Sequence, residues 1–134
     1  MFETVTQTLE RRLQNNWALT PIAFDNVEYV PRRGEAFVRG TITQTLSEMT
    51  TIPANNSEGN YREYGLLTIQ VFTPKNEGSR PNAVLADGVA ALYRGYQEGR
   101  LYCGAPRVNR IGSSDEFYQT NVLVEFYYDN CLNA

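Results

Sequence analysis

Residues 61–74 read Tyr61-Arg62-Glu63-Tyr64-Gly65-Leu66-Leu67-Thr68-Ile69-Gln70-Val71-Phe72-Thr73-Pro74, and the fold turns on this stretch. From Tyr61 to Phe72 it predicts a strand, because Leu67, Ile69 and Val71 alternate with Leu66, Thr68, Gln70 and Phe72. Both faces are largely apolar, which places the strand inside a sheet rather than at its rim. Thr73-Pro74 ends it, and Lys75-Asn76-Glu77-Gly78-Ser79-Arg80 forms a polar connection. Pro81 then sits where a first helical turn accepts a proline. The helix that follows carries Val84, Leu85, Val89, Leu92, Tyr93 and Tyr96 on a broad stripe and closes near Gly99. Its Ala83, Ala86, Gly88, Ala90 and Ala91 are small enough for close packing.

Upstream, Phe2, Val5, Leu9 and Leu13 recur at helical spacing, and Asn15-Asn16 is a plausible stop. Trp17 is expected to pack back over this helix. Pro21 extends the segment Thr20 to Phe24, and Asp25-Asn26 and Pro31-Arg32-Arg33-Gly34 are turn signals. A strand runs from Glu35 to about Leu46, with Val38, Ile42 and Leu46 on one face. Phe37, Arg39, Thr41, Thr43 and Thr45 lie on the other, a face suited to solvent or a partner. Residues 47–60 are polar and rich in turn formers, and longer than the usual connection. They read as a mobile loop, either a binding arm or a disordered segment.

Leu101-Tyr102-Cys103 and Arg107–Ile111 read as short strands split by Gly104-Ala105-Pro106, and a last long strand runs from Phe117 to about Tyr128. Tyr118, Thr120, Val122, Val124, Phe126 and Tyr128 give it one nearly continuous apolar face. The order of elements predicts a single α+β domain over residues 1–134, with an N-terminal and a central helix packed on a mixed or antiparallel sheet.

Composition narrows the chemistry. The 134 residues contain no histidine, which removes Ser-His-Asp and Cys-His catalysis and histidine metal sites. Cys103 and Cys131 match no metal motif; they are either one disulfide or, in an intracellular chain, two reduced apolar residues. No cofactor-binding fingerprint is present. Paired carboxylates, for example Glu63 and Glu125, are the catalytic option that remains, and they would have to converge. The net charge of -3 argues against a dominant basic DNA-binding face. The start of the chain resembles no signal peptide, and no apolar run is long enough to span a bilayer, so a soluble cytosolic chain is expected.

The positive charges and aromatics point to contacts. Of twelve basic residues only Lys75 is lysine, and Arg favours planar, fixed pairing at interfaces. With nine Tyr, this pattern suggests a protein that binds protein. Candidate contact residues are Arg32 and Arg33 in a turn, Asn55 and Asn56 in the arm, Tyr61 and Arg62 at the next strand, and Arg107 and Arg110 around a short strand.

The ordered set Thr20-Pro21-Ile22-Ala23-Phe24-Asp25-Asn26 with Pro31 and Gly34, then Gly65 to Pro74 with Gly78, then Leu85-Ala86-Asp87-Gly88-Val89-Ala90-Ala91-Leu92-Tyr93, then Phe117 to Phe126, resembles the tail terminator-like family of tailed bacteriophages and prophages. The resemblance spans nearly the whole chain and resides in the order rather than in one motif. It implies a compact α+β subunit that assembles as a homo-oligomeric ring, often hexameric, on the end of a tail tube. Such a ring stops tube growth and offers a docking surface to the neck or head connector. It implies as partners the tail tube protein and connector proteins, with DNA passing through the lumen without sequence-specific binding. It implies a place at the head-proximal end of the virion tail after assembly in the host cytoplasm, with no catalytic residues, cofactor or membrane. The rival readings are a neck or head–tail adaptor subunit and, in another class, a small carboxylate-dependent hydrolase.

Overall fold

The computed structural model describes residues 2–31, 34–49, 60–114 and 116–131. Two helices, α1 (Phe2–Asn16) and α2 (Arg80–Tyr93), pack on a mixed sheet. Its strands are β1 (Ile22–Ala23), β2 (Phe37–Met49), β3 (Asn60–Pro74), β4 (Gln97–Glu98), β5 (Leu101–Cys103), β6 (Arg107–Ser114) and β7 (Phe117–Cys131). The sheet runs β1-β2-β3-β7-β5-β4, and β6 also pairs with β7. The stretch quoted first is β3, and it lies between β2 and β7, antiparallel to both. β1 adds a short parallel pair, Ile22 beside Val38, held by the Val38 amide donating to the Pro21 carbonyl at 3.1 Å.

Antiparallel partners share a face, so the register sorts every side chain. Val38, Leu67, Ile69, Val71, Val122, Val124 and Phe126 share the buried face. Both helices lie on it. Val5, Leu9 and Leu13 come down from α1, and Ala86, Val89, Ala90 and Tyr93 from α2. Each large apolar side chain removed from water there contributes about 1.5–3 kcal/mol before entropy is charged against it.

The helices are also tied to one another. Tyr93 Oη donates to the Leu9 carbonyl at 2.7 Å, and burial drives the Tyr93 pKa up. Arg12 Nε of α1 donates to the Leu92 carbonyl at 3.1 Å. That carbonyl belongs to the last turn of α2, where carbonyls lack helical partners and a cation is favoured. α2 has no basic residue of its own there, so α1 supplies it.

Several expected boundaries move. α2 stops at Tyr93, before the expected Gly99, because Arg94 turns extended and Gly95 takes φ +64°. Its buried line is Asn82, Ala86, Val89, Ala90 and Tyr93, which leaves Val84 55% exposed. Trp17 is buried, but its indole rests on Gly88 of α2, where a Cβ would come within 3.0 Å of the ring. Both ends of the segment expected as an arm over 47–60 are strand. Ser47, Glu48 and Met49 extend β2 opposite Glu63, Arg62 and Tyr61, and Asn60 opens β3; residues 50–59 lie outside the described residues. Leu46 leaves the face of Val38 and Ile42. Thr45 is an extra residue between Gln44 and Leu46, and this bulge reverses the alternation, so Leu46 stands opposite Tyr64 on the far face, 53% exposed. β4 had no counterpart in the sequence reading.

Candidate functional site

The helices cover one face of the sheet; among the described residues no helix or second sheet covers the other, and only the segment 24–29 lies beside it, at Phe37 and Arg39. The middle of that face carries Arg39, Thr41 and Thr43 from β2, Leu66, Thr68 and Gln70 from β3, and Asn121, Leu123 and Glu125 from β7. These side chains are short or uncharged for the most part, which suits a surface that meets another polar, flat surface.

Aromatic clusters close both ends of this face. At one end Phe37 stacks on Phe72 at 4.6 Å and meets Phe117 edge-on at 5.3 Å, with Tyr29 at 5.1 Å on its outer side. These contacts leave Phe37 only 3% exposed although no helix covers it. At the other end Arg62 and Asp129 stand directly opposite on β3 and β7. Arg62 Nε donates to Asp129 Oδ1 at 2.7 Å and its Nη2 to Oδ2 at 3.1 Å, a two-point pairing of planar groups. The guanidinium also lies 4.1 Å from the Tyr127 ring centroid, and Tyr102 stacks on Tyr127 at 4.9 Å. The bonds to Asp129 push the Arg62 pKa upward, so its charge is permanent. Tyr64 Oη donates to Glu48 Oε1 at 3.2 Å and carries the cluster across to β2.

The sequence candidates divide among these surfaces. Arg62 is in the aromatic cluster. Tyr61, its neighbour, points to the opposite face, where its hydroxyl accepts from Asn130 Nδ2 at 2.9 Å. Arg107 and Arg110 lie on β6 on opposite faces, Arg107 beside Leu123 and Arg110 beside Thr120, both exposed. Arg107 reaches only a loose contact with Glu125 at 3.7 Å. Arg32, Arg33, Asn55 and Asn56 lie outside the described residues. Tyr64, Tyr102, Tyr127 and Asp129 escaped the sequence reading. The signal was present in the alternations Arg62-x-Tyr64 and Tyr127-x-Asp129, but their pairing spans 67 positions along the chain.

The two carboxylates named as a catalytic option do not converge. Glu63 pairs with Tyr128 on the helix-covered side, whereas Glu125 pairs with Leu66 on the open side. Among the described residues there is no group of three or more Cys, Asp or Glu placed to hold a metal ion. A concavity of about 560 Å³ lies at the start of α2 among Leu19, Pro74, Pro81, Val84 and Leu85, and among the described residues its charged lining is Glu77 and Arg80. Cys103 is a buried free thiol, with its pKa pushed up to about 11 by burial, and so is a packing residue rather than a nucleophile. No helix among the described residues is long and apolar enough to cross a membrane.

The surfaces worth comparing with known proteins are therefore an open sheet face and its rims. No curated protein matches the chain. One solved structure, identified by a sequence label rather than by a function, superposes with a TM-score of 0.67 at 17% identity, covering 96% of this chain and 95% of that one. At that identity the likeness concerns the fold alone. Residues 4–126 match the family model described as phage tail terminator protein, a span that takes in most of α1, all of α2 and most of every long strand. The chain belongs to the phage tail terminator family.

Proposed function

We propose that this tail protein is a non-enzymatic subunit that closes the tail tube as a ring, hexameric as the family resemblance implies. In the same reading the ring sits at the head-proximal end of the tail and receives the neck or head connector. It assembles in the host cytoplasm and lets DNA pass without sequence-specific binding. The carrying observation is the one-sided sheet: both helices cover one face, and the opposite face is left as a polar surface capped by aromatic clusters. A ring subunit needs two different complementary surfaces, one for each neighbour, and a third for the tube. The open face, with Arg62 fixed at one end and Arg107 at its rim, is of the right kind for such contacts. Arg110 and Tyr61 extend the contact set to the helix-covered side of the same rims.

The test joins mass measurement of the purified protein with electron microscopy of virions labelled on this subunit. A ring in solution and label at the head-proximal tail end are expected. A protein that stays monomeric at every concentration and is absent from that end would overturn the reading.

A further inference from the structure

The outer margins of the sheet are unfinished in a specific way. Beyond Arg39, β2 has no neighbour on its outer side among the described residues, since β1 pairs only with Val38 and Arg39. At the other margin β6 pairs, among the described residues, with β7 alone. Free edges normally carry lysine, proline or inward charge that blocks pairing with another chain. From Gly40 to Met49 β2 has neither lysine nor proline, and Glu48 is its one charged residue. Leu46 and Met49 on β2 and Val108 and Ile111 on β6 are each about half exposed, at 53%, 49%, 54% and 51%.

We propose that these two edges are the two halves of one subunit interface: β2 of one copy pairs with β6 of the next, and the sheet continues around the ring. The proposal deepens the ring reading and rests on it. Three features of the chain support it. First, direction: β2, β3, β7 and β6 alternate, so β6 runs opposite to β2. A neighbour related by rotation about an axis along the strands keeps its direction, so the seam is antiparallel like the joints inside the subunit. Second, register: each edge contains one extra residue, Thr45 in β2 and Ile111 in β6. With Glu48 opposite Arg107, Ser47 faces Val108 and Leu46 faces Asn109. Beyond the two bulges Gln44 faces Arg110, Thr43 faces Gly112 and Ile42 faces Ser113. The bulges offset one another, and every pair keeps both members on the same side of the sheet. Third, charge: β6 contributes Arg107 and Arg110, whereas the β2 edge contributes only Glu48, so the edges attract in this pairing. A two-fold joint of β2 to β2 would leave Arg107, Arg110, Val108 and Ile111 uncovered.

The test is site-directed cross-linking. Within one chain, positions 47 and 108 are separated by three strand spacings, roughly 14 Å. That is beyond the reach of a disulfide, whose Cα atoms lie within about 7 Å. In a Cys131→Ala background, Ser47→Cys combined with Val108→Cys should give, on mild oxidation, a ladder of covalent oligomers ending at the ring mass. The ladder should collapse to monomer on reduction, and either single substitution should give none. A second variant uses the backbone. The Val38 amide points outward to Pro21, so by alternation the Gln44 amide also points away from β3. Gln44→Pro should therefore leave the melting temperature of the subunit within a few degrees of wild type and abolish the ring. A ring of normal mass without the 47–108 ladder overturns the seam and leaves the ring reading standing. A covalent dimer from Ser47→Cys alone overturns it in favour of two-fold pairing. Full rings from Gln44→Pro also overturn it, and a chain that is monomeric throughout removes seam and ring together.

Discussion

Replacing Asn82 with aspartate is the sharpest probe of how α2 is seated. Asn82 is 0% exposed, in the first turn of α2. Its Nδ2 lies 3.1 Å from the Val71 carbonyl, 3.2 Å from Thr73 Oγ1 and 3.0 Å from the Tyr118 carbonyl. Three acceptors share two amide hydrogens, and the group joins the helix to β3 and β7 at once. Each such bond contributes about 0.5–1.5 kcal/mol net. Asn82 Oδ1 has no hydrogen-bond partner among the described residues, so truncation to alanine also relieves an existing cost of about 1–3 kcal/mol. The expected loss for Asn82→Ala, including the small cavity left behind, is therefore only about 2 kcal/mol. Asn82→Asp turns the donor into a carboxylate aimed at three oxygens in a buried site, and an uncompensated buried charge costs about 3–5 kcal/mol. Burial and those oxygens raise the aspartate pKa in the folded state above its ordinary value of about 3.9. Stability is then lost as pH rises through the folded pKa and regained on acidification. The gap between Asn82→Asp and wild type should narrow between pH 7 and pH 5. Urea titrations followed by tryptophan fluorescence, at two protein concentrations to separate assembly from folding, measure it. An aspartate variant within about 1 kcal/mol of wild type at pH 7, or a gap that widens in acid, would refute the reasoning.

At Gly65 a Cβ would approach the Phe126 ring to 2.4, 2.6 and 2.7 Å, so Gly65→Ala should cost about 1–3 kcal/mol in urea titration, and Phe126→Leu should recover part of it in the double variant. Cys103, with its pKa raised by burial to about 11 against 9.0 unperturbed, keeps its proton longer in the folded chain, so its contribution is lost as pH rises through that window. Wild type should lose about 2 kcal/mol more than Cys103→Ala between pH 9 and pH 11 by urea titration, and equal losses would contradict the burial argument.

What the sequence made legible was the part of the fold governed by local periodicity. β3 and β7 alternate without interruption, and α1 repeats Val5, Leu9 and Leu13 at helical spacing. Features set by long-range pairing were hidden. The bulge at Thr45 has no sequence mark, because Thr41-Ile42-Thr43-Gln44-Thr45-Leu46 alternates smoothly through it. Apolarity put Val84, Leu85, Val89, Leu92, Tyr93 and Tyr96 on one stripe; Val89 and Tyr93 are buried and Val84 is exposed, and the sheet-facing side also includes Asn82, a polar residue whose partners lie on two strands. The contact surface was legible in kind, from the Arg and Tyr surplus, and only partly in place. Arg62 acquires a fixed geometry from Asp129 and Tyr127, whereas Arg107 and Arg110, grouped by the sequence around one short strand, stand on its opposite faces.

The hidden features share a physical logic. A chain that folds alone must bury one sheet face and protect its edges, and among the described residues this one does the first without the second. α1 and α2 seal the face of Leu67, Ile69 and Val122, and Arg12, Tyr93 and Asn82 fasten them to each other and to the sheet. Those contacts all lie within one chain. The β2 and β6 edges are another matter. A long edge with β-branched side chains, one acidic residue and half-exposed Leu46 and Met49 is an aggregation hazard for a permanent monomer. The bulges at Thr45 and Ile111 limit the hazard, since a strand with an extra residue pairs well only with a partner whose irregularity falls in the matching place. A bulge on one edge alone would simply block association. In the proposed seam, one on each edge, at positions that offset each other, excludes foreign strands and mismatched registers while admitting the next copy of the same chain.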